Sequence, residues 1–319
     1  YQYTASTPAH DHYITCANSR KYVRVPPAAG VPCNVAEIGL LPNQGAAFNC
    51  TTYLNKILVA AAATGGCKHW FFPTATYYFN TQPNDITVAD IWFEGADSHD
   101  NMALVKNFPS TAVDDAIFNF RRSAFTLTGV RFLGLVGSQN VSTNVGTGSF
   151  ISIVSDASNA IGYGTIDDIE CTSDATLPNG HACVDVNIYA DGAIGPGALN
   201  GFGVRAIEMT RMKLFGTERY SIWLHNTTSC HVTGSGSFSA GGLTTSGTVV
   251  IDGNASFDSQ GNIVSFAHIA NGMITEHATG VLVDCAQWEA GTITVAATVR
   301  GGARGNLRSG ATVSNSSSF

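Results

Sequence analysis

The order of hydrophobic and polar positions predicts one helix followed by many short strands. From about Cys50 to Ala63 apolar residues recur at helical spacing, and the glycine pair at 65–66 ends the pattern. The stripe consists of Leu54, Ile57, Leu58 and Ala61. A strand is expected on each side of this helix.

Beyond Asp97 we find no second helical pattern. Short strand-like runs such as FTLTGVRFLG, TIDDIECTS, YSIWLHN and TVVIDGN follow, punctuated by Gly, Asn or Asp. They recur at irregular multiples of about twenty residues, which favours a parallel β-solenoid whose coils bury their inward side chains on one another. We therefore expect an N-terminal arm or linker (1–33), a capping segment with the first coil (34–97), a β-helix body (98–299) and a C-terminal tail (300–319).

Four pieces follow one another between Asn34 and Asp97: NVAEIGLL, TTYLNKILVAAAATGG, WFFPTATYYF and IWFEGAD. This order resembles the N-terminal cap of the pectate-lyase-like superfamily, to which bacteriophage tailspikes and polysaccharide depolymerases belong. The resemblance implies an all-β fold, a single-stranded right-handed parallel β-helix whose open end is covered by an amphipathic capping helix.

The sequence departs from the family at several points. Asn49-Cys50-Thr51 stands where Asp-Asp-Thr is common, and Ala75 replaces a glycine of the cap. The paired aspartates and Gly-His-Gly motif of polygalacturonases are absent, as is a recognisable calcium-binding aspartate set. No catalytic residue is therefore carried over from the family.

Composition narrows the possible partners. Charged residues make up only 12% of the chain, and the formal net charge is −7, so a generic nucleic-acid or anionic-membrane binder is not expected. The longest apolar run, Ile57 to Ala63, is too short to cross a bilayer, and we expect no membrane insertion. Surfaces rich in Gly, Ser and Thr are typical of rigid virion (tail) or secreted, extracellular proteins.

The eight cysteines leave two interpretations open. We favour buried free thiols in a β-core, while pairs such as Cys16–Cys33 and Cys50–Cys67 are the disulfide alternative. No CxxC or Cys/His cluster has zinc spacing, so the sequence predicts no metal site and no cofactor.

An alignment of four strands produces a candidate site. Val130, Ile169 and Met212 are aligned as inward residues, followed by Phe132, Cys171 and Leu214, with Cys230 and Val232 inward on the fourth strand. Because stacked strands lie about 4.8 Å apart, the outward residues form two columns. The first column is Arg131, Glu170, Lys213 and His231, and the second is Asp168, Arg211 and Ser229.

The predicted catalytic residues are Asp168, Glu170, Arg211, Lys213 and His231. Two carboxylates on one face can act as acid and base in glycoside hydrolysis. The cationic side chains can instead neutralise a uronate while one group removes a proton, as a lyase requires. A surface ion ladder that offsets like charges between coils is the simpler, purely structural interpretation.

Arg131, Glu208, Tyr220 and Trp223 are the predicted substrate-binding residues. The two rings offer flat platforms to sugars, although packing in the core explains them equally well. Neighbouring alternatives are Glu218, Arg219, Asp185 and Asp191. His225 and His268 are lone histidines in strand-like runs, for which we expect structural roles.

These observations lead to two hypotheses. The first is a tailspike-like depolymerase that binds a bacterial surface or extracellular polysaccharide and cleaves it by hydrolysis or β-elimination. The resemblance to tailspikes also implies a homotrimer. The alternative is a non-catalytic β-helix, either a virion receptor-binding protein or an adhesin.

Overall fold

The computed structural model describes most of the chain, in separate ranges. Near the N-terminus, three short strands form a small antiparallel sheet. The described residues are 2–4, 13–15, 21–23, 31–41, 43–98, 102–135, 139–140, 145–146, 148–156, 158–173, 184, 186–192, 203–216, 220–239, 248–254, 259–269, 272–288, 292–295, 300–307 and 312–315. The small sheet has the order β1 (Gln2–Thr4), β3 (Lys21–Val23) and β2 (Tyr13–Thr15). It lies within the segment that we expected to be an arm or linker.

Next come β4 (Cys33–Asn34), a 3-10 helix (Val35–Ile38) and helix α1 (Thr51–Ala62). The helix predicted from about Cys50 to Ala63 is thereby confirmed, and its apolar stripe is buried in the same core as the strands. Gly66 lies four residues beyond the end of α1. A Cβ atom there would lie 1.9 Å from the carbonyl oxygen of Ala60, so this position must be glycine. Within the described ranges no second α-helix follows, and no helix is long and apolar enough to cross a membrane.

The remaining described strands are short. They are β5 (His69–Phe72), β6 (Thr76–Phe79), β7 (Ile91–Gly95), β8 (Ala103–Lys106), β9 (Phe118–Phe120), β10 (Phe125–Gly134), β11 (Gln139–Asn140), β12 (Val145–Gly146), β13 (Ser149–Val154), β14 (Ile161–Gly162), β15 (Thr165–Ser173), β16 (Val186–Asp191), β17 (Val204–Arg205), β18 (Glu208–Gly216), β19 (Tyr220–His225), β20 (Thr227–Thr228), β21 (His231–Ser239), β22 (Thr248–Asp252), β23 (Ser259–Gln260), β24 (Ile263–Ile269), β25 (Gly272–Glu276), β26 (Ala278–Trp288), β27 (Thr292–Val295), β28 (Arg300–Leu307) and β29 (Thr312–Asn315).

Two parallel sheets contain nearly all of these strands. Sheet I has sixteen described strands, including β4, β5, β7, β10, β15, β18, β21, β24, β26 and β28, and sheet II has eight, in the order β29-β27-β25-β22-β19-β16-β13-β9. From β9 onward the chain passes from a sheet II strand to sheet I and back once per coil. This arrangement is consistent with the expected parallel β-solenoid.

From the coil that starts with β13, the coils become shorter toward the C-terminus until the last two are equal in length. Successive sheet II strands start at residues 118, 149, 186, 220, 248, 272, 292 and 312. The last two of these, β27 and β29, pair in parallel, and β28 pairs with β26 in sheet I. Residues 300–319 therefore contain strands of both sheets where the sequence had indicated a tail.

A column of left-handed residues marks one corner of the coils, and we call it the corner column. Its members have φ between +51° and +64°, and the strand pairings place them in register on successive coils. L-residues with a Cβ atom adopt this conformation only at an energetic cost, which glycine avoids. The members are Asp90, Ala124, Tyr163, Ala206, Ser229, Gly261 and Gly280.

The six described cysteines divide between a disulfide and free thiols, and Cys16 and Cys183 fall outside the described residues. Cys33 and Cys67 form a disulfide, so the favoured expectation of free thiols is wrong for these two, and both named alternative pairs are wrong as well. The cause is long-range pairing: Cys33 in β4 lies opposite Trp70 in β5, which brings Cys67 close to it. Closing a loop of 34 residues contributes on the order of 3–4 kcal/mol in the chain-entropy account. Buried free thiols are confirmed at Cys50, Cys171, Cys230 and Cys285.

Candidate functional site

The predicted register of sheet I is confirmed for three of the four column members. Arg131 lies opposite Glu170, and Glu170 lies opposite Lys213. His231, however, pairs with Glu208, whereas Lys213 pairs with Gly236.

The placement of His231 was wrong because the start of β21 was aligned with the second half of β18, whereas the first residues of the two strands, His231 and Glu208, lie opposite each other. The pairing also contains register shifts on both sides of Met212, but they cancel and do not move His231. Arg211 has a left-handed backbone in the middle of β18, and such a residue disturbs the regular ladder. The inward assignments are unaffected by this shift. Val130, Phe132, Ile169, Cys171, Met212, Leu214, Cys230 and Val232 are all fully buried, as predicted.

On the outside of sheet I, charges are neutralised in pairs, and we call this surface the ion-pair face. Arg131 Nε lies 3.1 Å from Glu170 Oε1, and His231 Nδ1 lies 3.2 Å from Glu208 Oε2. The face comprises Arg131, Asp167, Glu170, Glu208, Arg211, Lys213 and His231.

Arg211 binds a carboxylate that the sequence reasoning missed. Its Nε donates to Asp167 Oδ1 at 2.9 Å and a second guanidinium nitrogen contacts Oδ2, while Thr210 Oγ1 donates to the same carboxylate at 2.6 Å. The Arg211 hydrogen bond is the main reason that the pKa of Asp167 is lowered, although partial burial opposes it. The expected neighbour, Asp168, has a left-handed backbone and instead accepts a hydrogen bond from Ser98 Oγ at 2.9 Å.

Tyr220 and Trp223, expected beside this column, lie on sheet II instead. The structure therefore does not bring them together with Glu170 and Lys213. The alternatives Glu218, Arg219 and Asp185 fall outside the described residues.

The outer surface of sheet II carries a second cluster, which we call the aromatic–carboxylate face. Tyr189 lies opposite Trp223 on the next coil, and Asp191, His225 and Asp252 lie opposite one another on three successive coils. They point outward because side chains alternate along a strand and their neighbours Ile188, Ala190, Ile222, Leu224 and Ile251 are fully buried. The face comprises Tyr189, Asp191, Tyr220, Trp223, His225 and Asp252.

The rings of this face pack edge to face. The Trp223 ring centroid lies 5.4 Å from that of Tyr189, 5.6 Å from that of Tyr220 and 6.1 Å from that of His225. Val154 and Val186 are buried in the same cluster. The rings are therefore held in fixed positions by their neighbours and by the sheet.

Both carboxylates of the face are oriented by hydrogen bonds. Trp223 Nε1 donates to Asp252 Oδ1 at 2.7 Å, and His225 Nδ1 lies 2.7 Å from the same oxygen. Tyr189 Oη donates to Asp191 Oδ2 at 2.8 Å, and Asn226 Nδ2 donates to Oδ1 at 3.3 Å. The Asp252 carboxylate thus contacts a histidine and a tryptophan, and the Asp191 carboxylate accepts hydrogen bonds from a tyrosine and an asparagine.

The environment changes the proton affinity of two of these groups. Burial opposes protonation of His225, but its hydrogen bond to Asp252 and the charges of Asp252 and Asp191 together raise its pKa. Burial, reinforced by the charge of Asp191, raises the pKa of Tyr189, which keeps this phenol protonated. Residues with displaced pKa values beside specific charged partners are frequent at functional sites.

A loop covers the first coils of sheet II and borders the face. Val113 packs against the cluster formed by Val154, Val186 and Tyr189, and the carbonyl of Asp114 accepts a hydrogen bond from Ser152 Oγ at 2.9 Å. Tyr189 is itself buried beneath this packing, so the accessible part of the face begins with Asp191, Trp223 and His225, which are half-buried.

No cluster of three or more His, Cys, Asp or Glu side chains suited to a metal ion occurs in the part of the chain that the structure describes. What the aromatic–carboxylate face offers instead is two carboxylates and an imidazole beside flat rings. These groups are suited to proton transfer and to sugar binding.

The sequence reasoning did not identify Asp252, and it assigned His225 a structural role. The available signal was in the strands YSIWLH and TVVID, whose outward positions carry His225 and Asp252. Only the sheet I strands had been aligned across coils. Comparison of the chain with protein-family models gave no match, and comparison with curated protein sequences found nothing similar.

Proposed function

We propose that the protein binds a polysaccharide along the aromatic–carboxylate face and cleaves it by hydrolysis. The observation that carries this proposal is the succession of Asp191, His225 and Asp252 on three adjacent coils beside the rings of Tyr189 and Trp223. The site predicted around Glu170 is a poorer candidate, because the Glu170 and Asp167 carboxylates are each paired with an arginine.

Binding would rely on the rings. Sugars present apolar ring faces that pack against aromatic side chains, while their hydroxyl groups need polar partners at the edge. Asp191 and Asp252 provide such acceptors on either side of His225. Because successive coils are about 4.8 Å apart, a glycan lying along the solenoid axis meets these groups in sequence.

Cleavage would use two proton-transfer groups. The His225–Asp252 pair holds the proton that goes to the glycosidic oxygen as the bond from that oxygen to the anomeric carbon breaks. Asp191 accepts a proton from the water whose oxygen attacks the anomeric carbon. Asp191 and Asp252 are separated by two strand spacings, roughly 10 Å between their backbones, and inverting glycosidases hold their carboxyl groups about 6.5–9.5 Å apart.

We also propose the finer details of the fold and assembly. A right-handed solenoid is supported by the strong general preference for right-handed crossovers between parallel strands. A capping role for α1 and membership of the pectate-lyase-like superfamily are supported by the motif order between Asn34 and Asp97. The Cys33–Cys67 disulfide supports an oxidising, extracellular or virion setting, whereas a tailspike-like homotrimer rests on the resemblance alone.

The decisive experiment is incubation with a panel of capsular, O-antigen and plant polysaccharides. We expect new reducing ends without the ultraviolet absorbance of an unsaturated uronate. Asp191→Asn and Asp252→Asn should each lower the rate by at least about 100-fold, the usual minimum for loss of a general acid or base. Glu170→Gln is the matched control on sheet I and should leave the rate within about two-fold. If Glu170→Gln removes activity and Asp252→Asn does not, the proposed site is wrong.

Non-catalytic attachment is the second candidate. It is favoured by the fact that Asp191 and Asp252 both accept hydrogen bonds from side chains of their own surface, as purely structural carboxylates do. Retention of a polysaccharide that is lost in Trp223→Ala, without new reducing ends from any member of the panel, would support attachment over cleavage.

A further inference from the structure

We infer that the glycan accepted by the aromatic–carboxylate face carries no acidic sugars. This inference rests on the proposed function and specifies its substrate class. It follows from the distribution of charge over the two sheets.

The described strands of sheet II contain no lysine or arginine. Their sequences are FNF, SFISIV, VNIYAD, YSIWLH, TVVID, GMITE, TITV and TVSN. They contain three carboxylates, and Glu276 continues the column of Asp191 and Asp252 because it lies opposite Asp252 on the next coil. Asp114 also lies near Tyr189, but it is paired with Arg121 and adds no net charge.

Among the residues that the structure describes, the cationic groups near this face are paired with carboxylates. Arg121 Nη2 lies 2.7 Å from Asp114 Oδ2, and Arg121 Nε lies 3.4 Å from Asp85 Oδ2. His225 is directed at Asp252 by a 2.7 Å contact. Neither cation is therefore placed to neutralise a carboxylate of the substrate.

This charge distribution discriminates between sugars. A uronate or sialate docked on the rings would place its carboxylate within a few ångströms of Asp191 or Asp252, and like charges at such distances repel in a partly desolvated site. β-Elimination is disfavoured for the same reason, because it requires a cation to neutralise the uronate while a base removes the neighbouring proton. Neutral sugars incur no such repulsion, and an amino sugar would be attracted.

The ion-pair face provides the contrast. Its strands carry Arg131, Arg211 and Lys213 among their acids. The two arginines are themselves paired with carboxylates, so an acidic glycan would meet a mixture of both charges there and less repulsion than on sheet II. A protein that processed uronates would be expected to place its rings beside these cations, whereas Tyr189 and Trp223 lie on sheet II, whose described strands contain no lysine or arginine.

The test uses matched probes: polygalacturonate and alginate, each beside its carboxyl-reduced form, in affinity electrophoresis with the full chain. We expect the acidic polymers not to retard the protein. Glu276 is not one of the proposed catalytic groups. The acidic polymers should retard the Glu276→Lys variant at least several-fold more than the wild type. Glu208→Lys makes the same change of net charge on sheet I and should gain distinctly less.

The outcomes are separable from those of the proposed function. The inference would be overturned if an acidic polymer retarded the protein, or was cleaved by it, more strongly than the carboxyl-reduced form, and if this difference was lost in Trp223→Ala. Equal gains in Glu276→Lys and Glu208→Lys would overturn it too, because net charge alone would then explain binding. A polysaccharide panel without any cleavage contradicts the proposed hydrolysis but leaves this electrophoretic test intact.

Discussion

The ion-pair face and the aromatic–carboxylate face are built from the same ingredients on the outsides of two parallel sheets. Each carries aspartate or glutamate on successive coils, and each contains a histidine–carboxylate pair, His231–Glu208 on one and His225–Asp252 on the other. The two faces differ in the side chains that each carboxylate meets on the adjacent coil. On sheet I carboxylates meet arginine, and on sheet II they meet rings, a histidine and further carboxylates.

This difference shows that residue types along one strand are a poor guide to chemistry in a solenoid. Asp168 and Glu170 occupy alternate positions of one strand, the spacing that suggested an acid–base pair, yet Glu170 is neutralised by Arg131 from the neighbouring coil. Fully exposed ion pairs contribute about 0–1 kcal/mol, and this pair is partly buried. The residue that determines the charge state and chemistry of an outward side chain is therefore found one coil earlier or later in the sequence.

The largest expected effect separates the two histidine pairs. His225→Gln should reduce cleavage by about two to four orders of magnitude, the usual contribution of a general acid, whereas His231→Gln should change the rate by less than about two-fold. Reducing ends released from the same polysaccharide measure both variants. Activity of the wild type should also fall as the pH rises through the raised pKa of His225, since the imidazole then loses its proton. Equal losses in the two variants would contradict the assignment of the site to sheet II.

The second prediction concerns the loop that borders the aromatic–carboxylate face. The Lys106 ammonium is fully buried, donates to Ser110 Oγ at 2.5 Å and to the carbonyl of Asp115 at 3.2 Å, and lies 3.9 Å from the Phe108 ring centroid. Burial lowers its pKa to about 7. Between this value and the ordinary lysine pKa the unfolded chain binds more protons than the folded one, so the free energy of unfolding should rise with pH by up to about 1.4 kcal/mol per unit.

Denaturant titrations at several pH values above neutrality measure this slope. Lys106→Met removes the titrating group, and the slope should become flatter in that variant. Lys68→Met is the control, because Lys68 is an exposed lysine whose loss should leave the slope unchanged. An identical slope in Lys106→Met and the wild type would show that another group is responsible. His225 acts in the opposite sense, since its stabilising contribution is present at low pH and is lost as the pH rises through its raised pKa.

A smaller effect is expected on the ion-pair face. Arg131→Met should lower the free energy of unfolding by no more than about 1 kcal/mol, and added salt should reduce the difference because screening weakens the wild-type pair. Denaturation at low and high ionic strength measures both quantities. A larger loss that persists in salt would indicate that Arg131 stabilises the sheet through packing rather than charge.

The smallest effect concerns the corner column. Ala124→Gly relieves a left-handed alanine (φ +57°), but glycine also gains freedom in the unfolded chain, so the net stabilisation should be about 1 kcal/mol or less. Ala103→Gly, at a strand position of ordinary φ, should instead be destabilising. Thermal unfolding of the two variants gives the comparison, and destabilisation by both would show that the corner conformation is not costly for alanine.

Local patterns predicted much of this fold. The stripe of Leu54, Ile57 and Leu58 located α1, and alternation along the strands identified the inward residues of sheet I, because both signals depend on neighbours within a few positions. A register error of one residue would have reversed these assignments, and the burial of Ile169 and Met212 shows that none occurred.

Features that depend on distant pairing were not predicted. The starting point of β21 relative to β18 places His231 opposite Glu208 and not Lys213, and the Cys33–Cys67 disulfide depends on strands separated by a helix. The aromatic–carboxylate face was missed for the same reason: Asp191, His225 and Asp252 come from three coils of unequal length. Only the pairing of whole strands brings them together.

The corner column has one further consequence. The corner residue is followed within two positions by the next sheet I strand, whereas the connection that precedes it runs from Asp191 to Ala206 in one coil and from His225 to Ser229 in the next. A lengthened connection therefore ends at the same backbone conformation as a short one, and the following strand starts in register. Through mutation and recombination, such a chain can change the length of these connections next to the proposed binding surface while the strands of both sheets keep their positions.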